Sequence, residues 1–435
     1  MGQRARGSAS WTGWRVATWN RATCIAFAVL GASALNAATI TVANSLDSGI
    51  GSLRDAVALA NPGDAIDFVP ALAGSTVVLT SGEILIDKNL TITGLGASTL
   101  TVSGNNASRV FNVTAGTVFI SGLTISRGLG GNGGGGGILN AGTLSLSSST
   151  VSDNSAFQAI PGSFCGGVGT NGGGIYNAGT LTVTDSTISG NGTFGNCGGG
   201  FGGGIYNYPQ GMLTVSKSTL SGNGSALGGG IFNDGTVANG GTVILSNSTI
   251  SANGVAGSGA GGGIFNVGQG PAKFILTNMT ITNNGAFSGS GIYSLQQFAV
   301  AFAGNNNIVA GNTGSADVFG PFSGIHNIVG TTANLFLGPL ANNGGPTLTH
   351  ALLPGSVAAI GAGDLTTCTT APVNGVDQRG LPRGPSACSI GAYEPQGGGA
   401  PSSTPAIPAL SNLMLALLAM LLVGCAALAN HGRRR

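Results

Sequence analysis

The sequence predicts an all-β chain wound into a right-handed parallel β-helix. Three observations predict it: serial Gly-rich units, a gap-free strand pattern inside each unit, and a composition poor in charge. The units are GGGILN, GGGIYN, GGGIYN, GGGIFN, GGGIFN and GSGIYS, with isoleucines at 138, 175, 205, 231, 264 and 292. Their spacing varies from 26 to 37 residues, whereas TLSLSSSTVS, TLTVTDSTIS, MLTVSKSTLS, TVILSNSTIS and KFILTNMTIT align without gaps. A fixed cross-section with loops of variable length is how a solenoid accepts insertions.

Alternation identifies the strands. Leu181 and Val183 face one way while Thr180, Thr182 and Thr184 face the other, a period of two. The density of Gly, Ser and Thr disfavours helix. Strands that return to equivalent places in every coil pair in parallel, and the crossover rule makes the coil right-handed. Leu90 to Gly128 reads as further coils with shorter turns. About ten coils at roughly 4.8 Å each predict a rod on the order of 50 Å long.

The register sets up columns. Asn140, Asn177, Asn207, Asn233 and Asn266 recur at the end of the first strand, and Asn154, Asn191, Asn223, Asn253 and Asn283 or Asn284 after the last. Stacked amides exchange hydrogen bonds along the rod and tolerate turn conformations, so a structural ladder is expected. Tyr176, Tyr206, Phe232, Phe265 and Tyr293 share one register. They form either a stack covered by loops or an open stripe for sugars or a partner protein. Thr150, Thr187, Thr219, Thr249 and Thr280, beside Ser152, Ser189, Ser221, Ser251 and Thr282, make an outward hydroxyl face that could meet ice or glycans.

The ends carry targeting patterns. Arg4, Arg6, Arg15 and Arg21 precede the apolar run Ala22 to Ala34, as in a secretory signal peptide cleaved near Ala37 or Ala38. Ala409 to Ala429 is almost wholly apolar and HGRRR follows, as in a single transmembrane helix with a cytoplasmic basic flank. Fifteen basic residues less the seven in these ends leave eight, against thirteen acidic ones, a formal charge of −5. Nucleic acid is therefore excluded as a partner.

Cys24 and Cys425 lie in the ends, leaving Cys165, Cys197, Cys368 and Cys388 as disulfide candidates in an exported chain. The preferred pairing of three is 165 with 197 and 368 with 388. His326, His350 and His431 do not cluster, which disfavours zinc, and no cofactor is expected.

Polysaccharide lyases and hydrolases need paired carboxylates, or carboxylates holding Ca²⁺. Between Leu129 and Val300 the only charges are Asp153, Asp185, Asp234, Lys217 and Lys273. Asp185 aligns with Ser148, Lys217, Asn247 and Asn278, and Asp153 with Gly190, Gly222 and Ala252, so no acidic column forms. No Lys follows the Gly runs as a phosphate loop requires, and all three tryptophans lie in the leader. No catalytic residue is expected. Asp364, Asp377, Arg379 and Glu394 read as structural ion pairs locking the C-terminal region to the last coil.

These residues also resemble known families. The GGGI(Y/F)N units resemble the polymorphic outer-membrane-protein repeat of bacterial surface β-helices, a pectin-lyase-like solenoid. The segment Ile40 to Phe68, containing GSLRDA, resembles a CSLREA-type N-terminal region, whose run SLRDAVALA is expected as a capping helix. NNGGPTLTHALLPGS through VDQRGLPRG to CSIGAYE is similar to a choice-of-anchor domain, and PSSTPAIPALSNLM resembles an IPTL-type sorting signal. The implied order is signal peptide (1–38), cap and first coils (39–128), Gly-rich repeats (129–335), choice-of-anchor-like domain (336–396), linker (397–406) and sorting signal with its membrane helix (407–435). The resemblance implies a non-enzymatic, adhesin-like or structural cell-surface protein. Its implied partners are the export machinery, a sorting protease and surface glycans or neighbouring-cell proteins. A polysaccharide lyase or hydrolase, and an ice- or glycan-binding solenoid, are the alternatives.

Overall fold

The computed structural model describes residues 37–131, 133–159, 167–193, 199–236, 241–268, 274–296 and 302–396. The expected signal peptide up to residue 36, the C-terminal apolar segment, Cys165 and Cys197 lie outside the described residues. Among described residues no helix is long and apolar enough to cross a membrane. The elements below belong to the unit Ala38–Arg435.

The chain is an all-β, right-handed parallel solenoid. Each coil visits three sheets in turn, exemplified by Ile175–Asn177, Thr180–Thr184 and Thr187–Ser189. The first sheet has nine described strands, the second eleven and the third ten. Nine strands in the first sheet correspond to about nine turns, one fewer than the repeat spacing predicts. Ile138, Ile175, Ile205, Ile231, Ile264 and Ile292 pair in unbroken parallel register. Antiparallel pairing is confined, among described strands, to Ser155–Ala159 with Gly167–Gly169 and Leu337–Ala341 with Thr349–Leu352.

The alternation of each strand places one set of residues inside. Ile175, Leu181, Val183 and Ile188 are fully buried, as are their equivalents in neighbouring coils. This continuous apolar column is the main stabilising element. The glycine run before Ile175 is a packing requirement: a Cβ on Gly173 would lie 2.5 Å from the carbonyl oxygens of both Gly192 and Gly203. Gly172, at φ +70°, supplies the left-handed turn that precedes the approach.

Two turn rows flank the third sheet. Ser148, Asp185, Lys217, Asn247 and Asn278 all have φ between 44° and 52°. Beyond the third strand, Arg127, Asp153, Gly190, Gly222, Ala252 and Asn283 take φ between 50° and 65°. The mixed chemistry of these aligned positions has a backbone cause, because a left-handed residue closes each turn. Asn283 is the turn residue, so Asn284 takes the ladder position.

At the N-terminal end, the helix Leu53–Leu59 forms where the capping run predicts it, with Ser52 Oγ accepting from the Asp55 amide. Leu53, Ala56 and Val57 bury against the first coil. At the other end, residues 336–396 form a hairpin, the short helix Leu365–Thr369 and connecting loops. Leu352, Ala359 and Ile390 share a core with Ile308, Ala310 and Ile328 of the last coils. Cys368 and Cys388 form a disulfide with an S–S distance of 2.11 Å.

Candidate functional site

The aromatic column stacks along the first sheet. Ring centroids are 5.1 Å apart for Tyr176–Tyr206, 5.4 Å for Tyr206–Phe232, 5.1 Å for Phe232–Phe265 and 4.9 Å for Phe265–Tyr293. Tyr206, Phe232 and Phe265 are only 4 to 5% exposed, under Phe201, Leu227, Ala260 and Val267. The open-stripe alternative is thereby corrected at its three central members: inserted loop side chains close over the rings. Tyr206 donates its hydroxyl to Asp234 Oδ2 at 2.6 Å, and burial, then Asp234, push its pKa well above the usual tyrosine range. Tyr176 is pushed up to about 12, chiefly by burial. Tyr208, exposed and 5.8 Å from Tyr176, stands outside the register.

The asparagine columns sit inside the coil. Asn140 donates to Asn177 at 2.8 Å, Asn177 to Asn207 at 2.7 Å, Asn207 to Asn233 and Asn233 to Asn266 at 2.8 Å. Asn154, Asn191, Asn223, Asn253, Asn284 and Asn312 form a second chain with steps of 2.8 to 2.9 Å. Almost every amide in both columns is fully buried, so each hydrogen bond offsets a desolvated polar group.

The third sheet carries the hydroxyl face, and the structure extends it. Thr76, Thr101 and Thr124 fall in register before Thr150 and Thr187, ahead of Thr219, Thr249 and Thr280. The upstream members have a sequence signal in LTVSG and LTISRG, which repeat the Thr-apolar-Ser triplet without a Gly-run unit.

The distal half of this face is covered, which corrects the expectation of an outward array from Thr150 to Thr282. Thr219 donates to the Leu348 carbonyl at 2.6 Å, and Thr249 to Gln378 Oε1 at 2.6 Å. Thr280 Oγ1 accepts from the Ala392 amide at 3.0 Å, and Ser251 Oγ lies 2.8 Å from His350 Nε2. Burial lowers the His350 pKa despite its bond to the Gly338 carbonyl. The C-terminal domain therefore reaches back over several coils, whereas the sequence placed its lock at the last one. Sequence separations of 99 to 159 residues leave no local signal for these contacts.

The expected ion pairs lie mostly within that domain. Arg379 Nη2 is 2.7 Å from Asp377 Oδ2, while Asp364 caps the helix through the Thr367 amide. Glu394 pairs with Arg383 at 3.3 Å, and Arg383 Nη2 reaches Asn247 Oδ1 at 2.9 Å. Arg383 thus supplies the charged link to the rod.

The uncovered half of the face forms a groove of about 310 Å³. Thr76, Thr101 and Thr124 line one rank and Ser103, Ser126 and Ser152 the other, with Arg127 and Asp153 at its edge. Ser103 and Ser126 form the buried floor and Thr124 Oγ1 already donates to the Ala97 carbonyl, so Thr76, Thr101 and Ser152 are the more open hydroxyls. The lining is hydroxyl-rich and balanced in charge. Of the remaining repeat carboxylates, Asp185 binds Lys217 at 3.0 Å and Asp234 holds Tyr206. The three candidates thus occupy different turns, and among described residues no three His, Cys, Asp or Glu side chains gather as a metal site.

The chain matches no protein-family model and no curated protein. The crystal structure of pectate lyase Pel9A is similar, with a TM-score of 0.52 and 15% identity, covering 83% of this chain and 98% of that one. At that identity the likeness establishes the class of fold, a pectate-lyase-like β-helix.

Proposed function

We propose that this protein is a non-enzymatic β-helix rod displayed at a bacterial cell surface, adhesin-like or structural, and tethered through its C-terminal sorting segment. The observation that carries the reading is where two of the three repeat carboxylates go. Asp185 holds Lys217 across one coil step, and Asp234 holds the buried Tyr206 hydroxyl. Acid–base or Ca²⁺ chemistry on a polysaccharide needs two carboxylates converging on one bond or one ion. These side chains instead join coil to coil, and the buried amide ladders do the same. The tripartite order of CSLREA-like, choice-of-anchor-like and IPTL-like segments supports export and tethering, with a sorting protease as a partner.

The rival reading is a lyase or hydrolase on the same scaffold, and the pectate lyase likeness reaches only as far as the fold. Incubating the protein with polygalacturonate, alginate and xylan, with and without Ca²⁺, separates the two. The expected result is no product above the buffer rate. Reproducible cleavage abolished by Asp153→Asn or Asp185→Asn would overturn the non-enzymatic reading.

A further inference from the structure

We infer that the uncovered half of the third sheet is a binding groove for a neutral, hydroxyl-rich polysaccharide. The inference rests on the surface-rod reading and deepens it by naming the ligand class and the place it binds. The argument begins with the half of the face that is already occupied. There, the threonine column serves both hydrogen-bonding roles toward one polypeptide. Thr219 and Thr249 donate to Leu348 and Gln378 oxygens, and Thr219 and Thr280 accept from Gln378 Nε2 and the Ala392 amide. A hydroxyl rank at this spacing therefore satisfies donors and acceptors alike without a formal charge.

The groove continues the same ranks upstream, in unbroken register with the covered ones. Its occupant must match three features. Its lining contains no apolar side chain, which excludes a lipid or an amphipathic helix as a fitting partner. One cation and one anion, Arg127 and Asp153, balance each other at the rim, so no single sign of charge is selected. The hydroxyls repeat at the coil spacing of roughly 4.8 Å, which favours a ligand that itself repeats polar groups along a line.

A neutral polysaccharide meets all three. It carries donor-acceptor hydroxyls along its length and binds through many modest hydrogen bonds. Ice would need a flat face, whereas Arg127 and Asp153 are exposed left-handed turn residues at the edge of a concave site. Continuity with the C-terminal domain adds a boundary. Thr219 is already fully buried beneath Leu348 and Gln378, so the free run ends at Thr187 and Ser189.

The test is binding of the full chain to soluble dextran, xyloglucan and mannan, with polygalacturonate as the acidic comparison. Thr76→Val with Thr101→Val removes two neighbouring groove hydroxyls at nearly constant shape. Thr182→Val makes the same change on the second sheet as a control for folding. The expected result is binding of at least one neutral polymer, weakened about tenfold or more by the double substitution and unchanged by the control. Absence of binding to every neutral polymer, preference for polygalacturonate, or equal binding by all variants would overturn the groove. So would thermal hysteresis lost on the double substitution, which would assign the face to ice. Polymer cleavage would instead defeat the non-enzymatic reading while leaving the groove in place.

Discussion

Single residues in this molecule are chosen by what the next coil requires. Asn223 shows it most fully: its Oδ1 accepts from both the amide and the side chain of Asn191, and its Nδ2 donates to the Ile188 carbonyl and to Asn253. Replacement by alanine leaves several buried partners unsatisfied at once. Asn223→Ala should lower stability by about 2–3 kcal/mol, read as a fall in urea midpoint. Thr182→Ala, on the outer face of the second sheet, should stay within about 0.5 kcal/mol. The asparagine columns were legible in the sequence because a coil repeat brings equal residues to equal places. Asn283 and Asn284 were not separable there, since only backbone torsion distinguishes the turn residue from the ladder residue.

Elements differ in how far sequence reaches them. The three strands of each coil follow from alternation and from the gap-free TLTVTDSTIS register, and the helix Leu53–Leu59 follows from its cap and apolar spacing. The hairpin Leu337–Ala341 with Thr349–Leu352 did not announce where it would lie. Its docking rests on side chains meeting partners about a hundred or more positions away, such as His350 with Ser251 and Thr347 with the Lys217 carbonyl. The covering of the aromatic column was hidden for a related reason. Its lids, Phe201, Leu227 and Ala260, sit in the variable connections where the repeat alignment carries no information.

The docked hairpin carries a pH dependence. His350 is buried with its pKa held below the ordinary value, so the folded state resists a proton that the unfolded chain takes up. Stability is then complete above about pH 6.5 and falls as pH drops below it. Urea midpoints at pH 7.5 and 5.5 should show this decline, and His350→Gln should reduce it. An equal decline in the variant would remove His350 as its source.

At the scale of the whole molecule, the rod divides its third face between an internal partner and open solvent. The C-terminal domain covers the coils from Thr219 onward through Gln378, His350 and Arg383, and the groove from Thr76 to Ser152 stays uncovered. One end is thereby committed to closing the solenoid, while the upstream coils present a polar surface. This arrangement suits a rod tethered near its C-terminus and open to ligands at its upstream coils. The most direct measurement is fractionation of cells that express the full chain or a version ending at Ala400. The account predicts that the full chain stays with the cell surface and the shortened one is released to the medium. Equal surface retention of both would contradict it.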